Sequence, residues 1–152
     1  MKIEGAALLP APRELVWQSL TDPAFLAKCL PGTPELKPDG PGRYKASLKM
    51  GIAAFSGKFD GTVQITDEKP PESFRLVIEG RGAPGFMKGE GTILLREDNR
   101  QAPNQTELRY TGDMQAGGVM ASVGSRMVEA AGKKMIQQFF DAAAEQLRTP
   151  RK

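Results

Sequence analysis

Histidine is absent from this sequence, and cysteine and tryptophan occur once each, as Cys29 and Trp17. The first absence removes the side chain most used as a general base and as a metal ligand near neutral pH. A single cysteine excludes a disulfide within the chain and fits a reducing compartment. Long apolar runs are missing too: none approaches the ~18 residues that a membrane-spanning helix needs. The opening Met1-Lys2-Ile3-Glu4 has no apolar signal core, so the expected location is cytoplasmic. Nor is there a strong charge of one sign. Twenty-one Lys and Arg stand against 18 Asp and Glu, a net charge of +3. The basic residues are scattered, with no aromatic residues between them to stack on bases, which argues against nucleic acid as a partner. Metal-ligand spacing is likewise missing, so neither a metal nor another cofactor is expected. The 152 residues suit one domain, read here as residues 1–148 with a short basic tail at 149–152.

What is present falls into two periodicities. From Val119 to Leu147 no proline interrupts the chain. At 100° per residue Met120, Val123, Gly124, Met127, Val128 and Ala131 share one face, and Arg126, Glu129 and Lys133 lie opposite. Farther on, the apolar face moves to Met135, Ile136, Phe139, Ala143 and Leu147. The spacing predicts one helix over 119–147, roughly 43 Å long at ~1.5 Å per residue. Upstream, the period is two. Residues 2–9 form a weak opening strand with Ile3, Gly5, Ala7 and Leu9 on one side. Pro12 opens a short helix to residue 20, and Asp22-Pro23 caps and starts a second, reaching about Cys29. Then Tyr44, Ala46, Leu48 and Met50 alternate with Arg43, Lys45, Ser47 and Lys49. The sets Phe55 to Ile65, Phe74 to Gly80, Met87 to Leu95 and Leu108 to Met114 repeat the alternation, with short turns between them. Strands so connected are antiparallel.

Gly61, Gly80, Gly91 and Gly112 all occupy inward positions of consecutive strands. Glycine there weakens a strand and marks either a bend or the close approach of another group. One reading is that the four let the sheet coil and the helix sit close; the other is that they leave room for a ligand.

Other candidates weigh less. Gly80-Arg81-Gly82-Ala83-Pro84-Gly85 spells GxGxxG, but Met87 to Arg96 alternates as a strand, so no helix N-terminus is available for a pyrophosphate. Cys29 has no histidine to activate it and reads as a small buried filler. Asp60, Glu79, Glu90 and Asp113 fall on outward positions among Lys58, Arg81, Lys88 and Arg109, the pattern of a solvated sheet face. No catalytic residue is assigned.

Several segments agree, in order, with one known family. Ala11-Pro12 with Val16-Trp17, then Asp22-Pro23, Leu26, Cys29 and Pro31-Gly32, resemble the opening of the carbon monoxide dehydrogenase G-subunit family. Gly80-x-Gly82-x-x-Gly85-Phe86 with Gly89-x-Gly91, and Gly117-Gly118-x-x-Ala121-x-x-Gly124-Ser125-Arg126, are similar to later segments of it. The resemblance implies an α+β, START-like helix-grip fold: a seven-stranded curved antiparallel sheet around a long C-terminal helix, with two short helices after the first strand. It further implies a non-catalytic protein that handles a lipid- or quinone-like molecule and accompanies a carbon-monoxide-dehydrogenase-type molybdenum hydroxylase. Such a protein would serve as an accessory or membrane-recruiting factor, peripheral at the inner face of the membrane. Cyclases, dehydratases and isomerases of the same superfamily supply the competing, enzymatic reading.

Methionine is flexible and polarisable, and is over-used on surfaces that accept varied apolar partners. With the inward glycines and the resemblance, the expected apolar cavity is lined by Met50, Phe55, Phe59, Gly61, Ile78, Gly80, Phe86, Met87, Gly91, Tyr110, Gly112, Met114, Met120, Val123, Met127 and Met135. Ser125 and Arg126 are candidates for orienting a polar headgroup at its mouth. Lys133, Lys134, Arg148, Arg151 and Lys152 make the C-terminal end basic, which suits the helix dipole and also transient contact with anionic lipid.

Overall fold

Helix starts and turns follow the local chemistry of the chain. A computed structural model describes residues 1–30, 35–52, 55–83, 85–100 and 102–148; at positions 48, 50–52, 55, 56, 119 and 120 it describes the backbone alone. Strand β1 (Lys2–Leu9) leads into helix α1 (Arg13–Leu20), which follows the extended Pro12. Helix α2 (Pro23–Cys29) begins where Asp22 Oδ1 accepts the Ala24 N–H at 3.0 Å, satisfying a donor that the first turn leaves free. After the two-residue β2 (Lys37–Pro38), five strands follow as a meander. They are β3 (Arg43–Ile52), β4 (Phe55–Lys69), β5 (Ser73–Gly82), β6 (Gly85–Glu97) and β7 (Thr106–Gly117). The sheet has seven strands in the order β1-β7-β6-β5-β4-β3-β2, and every neighbouring pair is antiparallel.

The expected single helix is in fact two. A short α3 (Val119–Ser122) precedes α4 (Ser125–Arg148), and the chain breaks between them at Gly124, with φ of +98°. Gly118, with φ of +72°, precedes α3. Both angles lie where only glycine is unstrained, so these two residues set the bends on either side of α3. The break also revises the helical faces: Val128, Ala131, Gly132 and Ala143 are buried, whereas Met127 is 45% exposed. Helix α4 alone is ~36 Å long at ~1.5 Å per residue.

Register confirms the alternation read from the sequence. Residues directly opposite in antiparallel strands share a face. The pairs Tyr44–Val63–Ile78–Gly89–Met114 form one inner row, and Ala46–Gly61–Gly80–Met87–Ala116 form the next. Ile65–Leu76–Gly91–Gly112–Ile3 form a third.

Two separate apolar clusters hold the helices to this face. The larger gathers Leu9, Val16, Leu20, Phe25, Leu26, Cys29, Leu36, Phe74, Ile93, Leu95, Leu108 and Ala143, around α1, α2 and the C-terminal half of α4. The Trp17 and Phe74 rings meet edge to face at 5.4 Å there, and Thr106 Oγ1 donates to the Ala11 carbonyl at 2.7 Å in full burial. The smaller cluster joins Phe59 and Met114 to Val128 and Ala131 on the N-terminal half of α4. At Gly132 an added Cβ would meet the Met114 Sδ at 2.7 Å, so this glycine lets α4 lie close to β7.

Candidate functional site

Between the two clusters the inner face of the sheet is left uncovered. Ile78 points inward by register, yet it is 42% exposed. At Gly80, two residues on, a Cβ would find no atom within 4 Å. The row Ala46–Gly61–Gly80 is built from the smallest residues, on three adjacent strands, and all three are among the residues that line a hollow of about 520 Å³. Lys45, Ser47, Asp60, Thr62, Glu79 and Arg81, the flanking residues on the same strands, also line it, together with Glu35 and Lys37. Its size falls in the usual range for small-molecule sites.

The charged groups around this hollow are largely paired. Lys37 lies 3.7 Å from Glu35, Lys88 lies 3.7 Å from Glu79, and Lys45 lies 3.6 Å from Asp39. Asp60 accepts a hydrogen bond from Ser47 Oγ at 2.9 Å. Arg81 sits over the Phe86 ring, 5.7 Å from its centroid. The three inner rows given above carry Gly, Ala, Met, Val, Ile and Leu and one tyrosine, with no carboxylate or amine among them. Such a surface can bury an apolar body but offers no acid–base pair to work on it.

A second hollow, of about 220 Å³, lies between β1 and α4, bordered by Ala6, Leu9, Tyr110, Gln137, Phe140 and Arg148 among others. Tyr110 stacks on Phe140 at 5.6 Å and covers Gly5, where an added Cβ would lie 2.6 Å from the ring carbon that bears the hydroxyl.

The expected cavity residues separate into groups. Gly61 and Gly80 line the larger hollow. Phe59, Met87, Met114 and Val123 belong to the smaller cluster beside it, and Met135 is half-buried on α4. Met50, Phe55 and Met120 lie outside the residues whose side chains are described. Gly91 and Gly112 face each other across β6 and β7; a Cβ at either would strike the backbone, at the carbonyls of Thr111 and Glu90. For these two the coiling of the sheet is the reason for glycine. Two expectations need correcting. Phe86 pairs with Arg81 and Gly117, which puts it on the outer face, where its ring covers Gly117. Met127 is exposed on the first turn of α4 and not turned inward. Ser125 and Arg126 are exposed as well.

Cys29 is buried, and that burial pushes its thiol up to about 11, which makes it a poor nucleophile. Among the described residues no three potential ligands gather for a metal, and no helix is long and apolar enough to cross a membrane. Altered carboxyl acidity occurs in and beside the loop after β6. There the bond to Arg100 holds Asp98 down to about 2, and the bond to Arg109 lowers Glu107.

The model of the carbon monoxide dehydrogenase G-subunit (CoxG) family matches residues 5–148. The chain belongs to that family. A conserved protein from Geobacillus kaustophilus is 37% identical, with a TM-score of 0.91 over 97% of this chain and 95% of its own. A Mycobacterium smegmatis protein shares 18% identity at a TM-score of 0.71, over 97% of this chain and 90% of its own. The Zhui aromatase/cyclase from Streptomyces sp. R1128 shares 18% identity at a TM-score of 0.67, over 97% and 93%. The last two likenesses are of fold alone, and the fold is the START-like helix grip. No curated protein sequence matches the chain.

The sequence reading missed Ala46 and the polar border of the hollow. Alternation puts Ala46 on the correct face, but only strand register sets it beside Gly61. The border residues alternate outward and so read as ordinary solvated positions.

Proposed function

We propose that this CoxG-family protein binds a hydrophobic, lipid- or quinone-like molecule over the inner face of β4 and β5. The observation that carries the reading is the uncovered Ile78–Gly80 stretch between two buried clusters. An inward isoleucine left in water costs about 25 cal/mol per Å² of exposed apolar area, and an apolar ligand removes that cost. Met87, Met114 and Met135 supply adaptable neighbours, and the polar border suits the head of an amphiphile. Family membership supports a role beside a carbon-monoxide-dehydrogenase-type molybdenum hydroxylase, as an accessory that passes the molecule between membrane and enzyme.

Organic extraction of the purified protein followed by mass spectrometry tests this. A lipid or isoprenoid quinone in stoichiometric amount is the expected result. Protein that yields none, and that also fails to take up a quinone added in detergent, would end the ligand reading. Copurification with a molybdenum hydroxylase from cells expressing both tests the partner separately.

A further inference from the structure

The passage from β7 into α4 is a lightly held piece between two glycine joints. Gly118 takes φ of +72° and ψ of −149°, close to a region that only glycine occupies freely, and Gly124 takes φ of +98°. Between them α3 has four residues, too few to be stable as a helix by itself. Gly118 has no side chain with which to cap it. Two backbone bonds of 3.2 Å close its ends, from the Ala121 N–H to the Gly118 carbonyl and from the Gly124 N–H to the Ala121 carbonyl. Ala121 and Ser122 are exposed, and Val123 is half-buried against the small cluster of Phe59, Met114, Val128 and Ala131.

This piece stands next to the uncovered part of the sheet. Helix α3 touches β6 and β7. Met87 of β6 packs on the same small cluster as Val123, and Met87 is the cross-strand partner of Gly80. One strand therefore separates α3 from the open Ile78–Gly80 stretch of β5, a distance of ~5 Å.

We infer that α3 is a lid, which swings about Gly118 and Gly124 onto the inner face of β5 when an apolar molecule lies there and swings back to release it. Rotation at the joints costs little, because glycine takes φ of either sign about equally well. Helix α4 stays in place, held by the buried Val128, Ala131 and Gly132. Over the bare Gly80 a closed lid would enclose a void and find few contacts. Over an apolar molecule it gains them, and that difference couples closure to binding. The inference rests on the proposed function, for which it supplies the step that seals and frees the ligand.

Pulsed EPR distances test it. Spin labels are placed on Ala121→Cys in α3 and Lys58→Cys in β4, on the far side of β5, in a Cys29→Ala background. The probes are decylubiquinone and oleic acid, and their binding is read separately as retention through gel filtration. The expected result is a mean distance shorter by ~5 Å with bound probe, one strand spacing. A second pair, Lys58→Cys with Lys134→Cys on α4, keeps its distance. Adding Gly118→Ala/Gly124→Ala disfavours both resting angles, so the first pair shows the shorter distance before any probe is added. Bound probe without a change in the first pair overturns the lid and leaves the ligand reading standing, as does an equal change in both pairs. A joint variant that folds and keeps the original distance overturns the assignment of the joints; if it fails to fold, the two labelled pairs decide. Protein that retains neither probe overturns the ligand reading, and the lid with it.

Discussion

Replacing Gly80 by valine separates a hollow kept for a ligand from a sheet that merely needs glycine to bend. In a strand interior, glycine is less favourable than alanine by roughly 0.5–1 kcal/mol, and β-branched residues gain further on a pleated surface, by up to about 1 kcal/mol. That gain is normally cancelled where the new side chain meets its neighbours. At Gly80 an added Cβ meets no atom within 4 Å, and the cross-strand partner is Met87, a side chain flexible enough to adjust to the added methyl groups. Gly80→Val is therefore expected to stabilise the protein by about 1 kcal/mol, a rise in Tm of about 2–4 °C at this chain length. Because valine stands in the hollow, the same variant should lose most of its extractable ligand. Gly91→Val is the comparison: its Cβ would strike the Thr111 carbonyl, and forced repacking of this kind costs about 1–3 kcal/mol. Thermal melts and ligand content of both variants decide the matter. If Gly80→Val melts as low as Gly91→Val, the space over Gly80 is not open. If it melts higher but carries as much ligand as the wild type, the ligand site is elsewhere.

Other perturbations have equally direct readouts. Gly132→Leu drives a side chain into Met114 where α4 approaches β7, and should destabilise by about 1–3 kcal/mol in denaturant titration. Thr106→Val keeps the shape of a fully buried residue but removes the 2.7 Å bond to the Ala11 carbonyl, for an expected loss of about 1–3 kcal/mol. Cys29 should resist a thiol reagent at pH 8 in the folded protein and react once it is unfolded. Its raised folded value stabilises below the ordinary 9.0, and that contribution is lost as pH rises toward about 11, so melts of the wild type should fall over that window relative to Cys29→Ala.

Much of the fold was legible because strands with one covered face must alternate. Ala46, Val63, Leu76 and Leu108 all stand on the side the period of two assigns them. Asp22-Pro23 was equally readable, since capping is a contact between near neighbours in sequence. The helix break was not: Gly118 and Gly124 were visible, but their left-handed backbone angles arise from the path between β7 and α4. Phe86 misled because it follows a turn, and whether Gly85 pairs with Gly82 or one residue along decides which face the phenylalanine takes.

The sequence by itself determined the strand faces, the helix caps, the absence of histidine chemistry and the family, because each depends on residue type at fixed short spacing. Only the tertiary structure decided which inward glycine faces empty space and which face a neighbouring backbone, and which residues of separate strands lie side by side. Those facts depend on strand register and sheet coiling, which bring together residues far apart in the chain and leave no local trace in it.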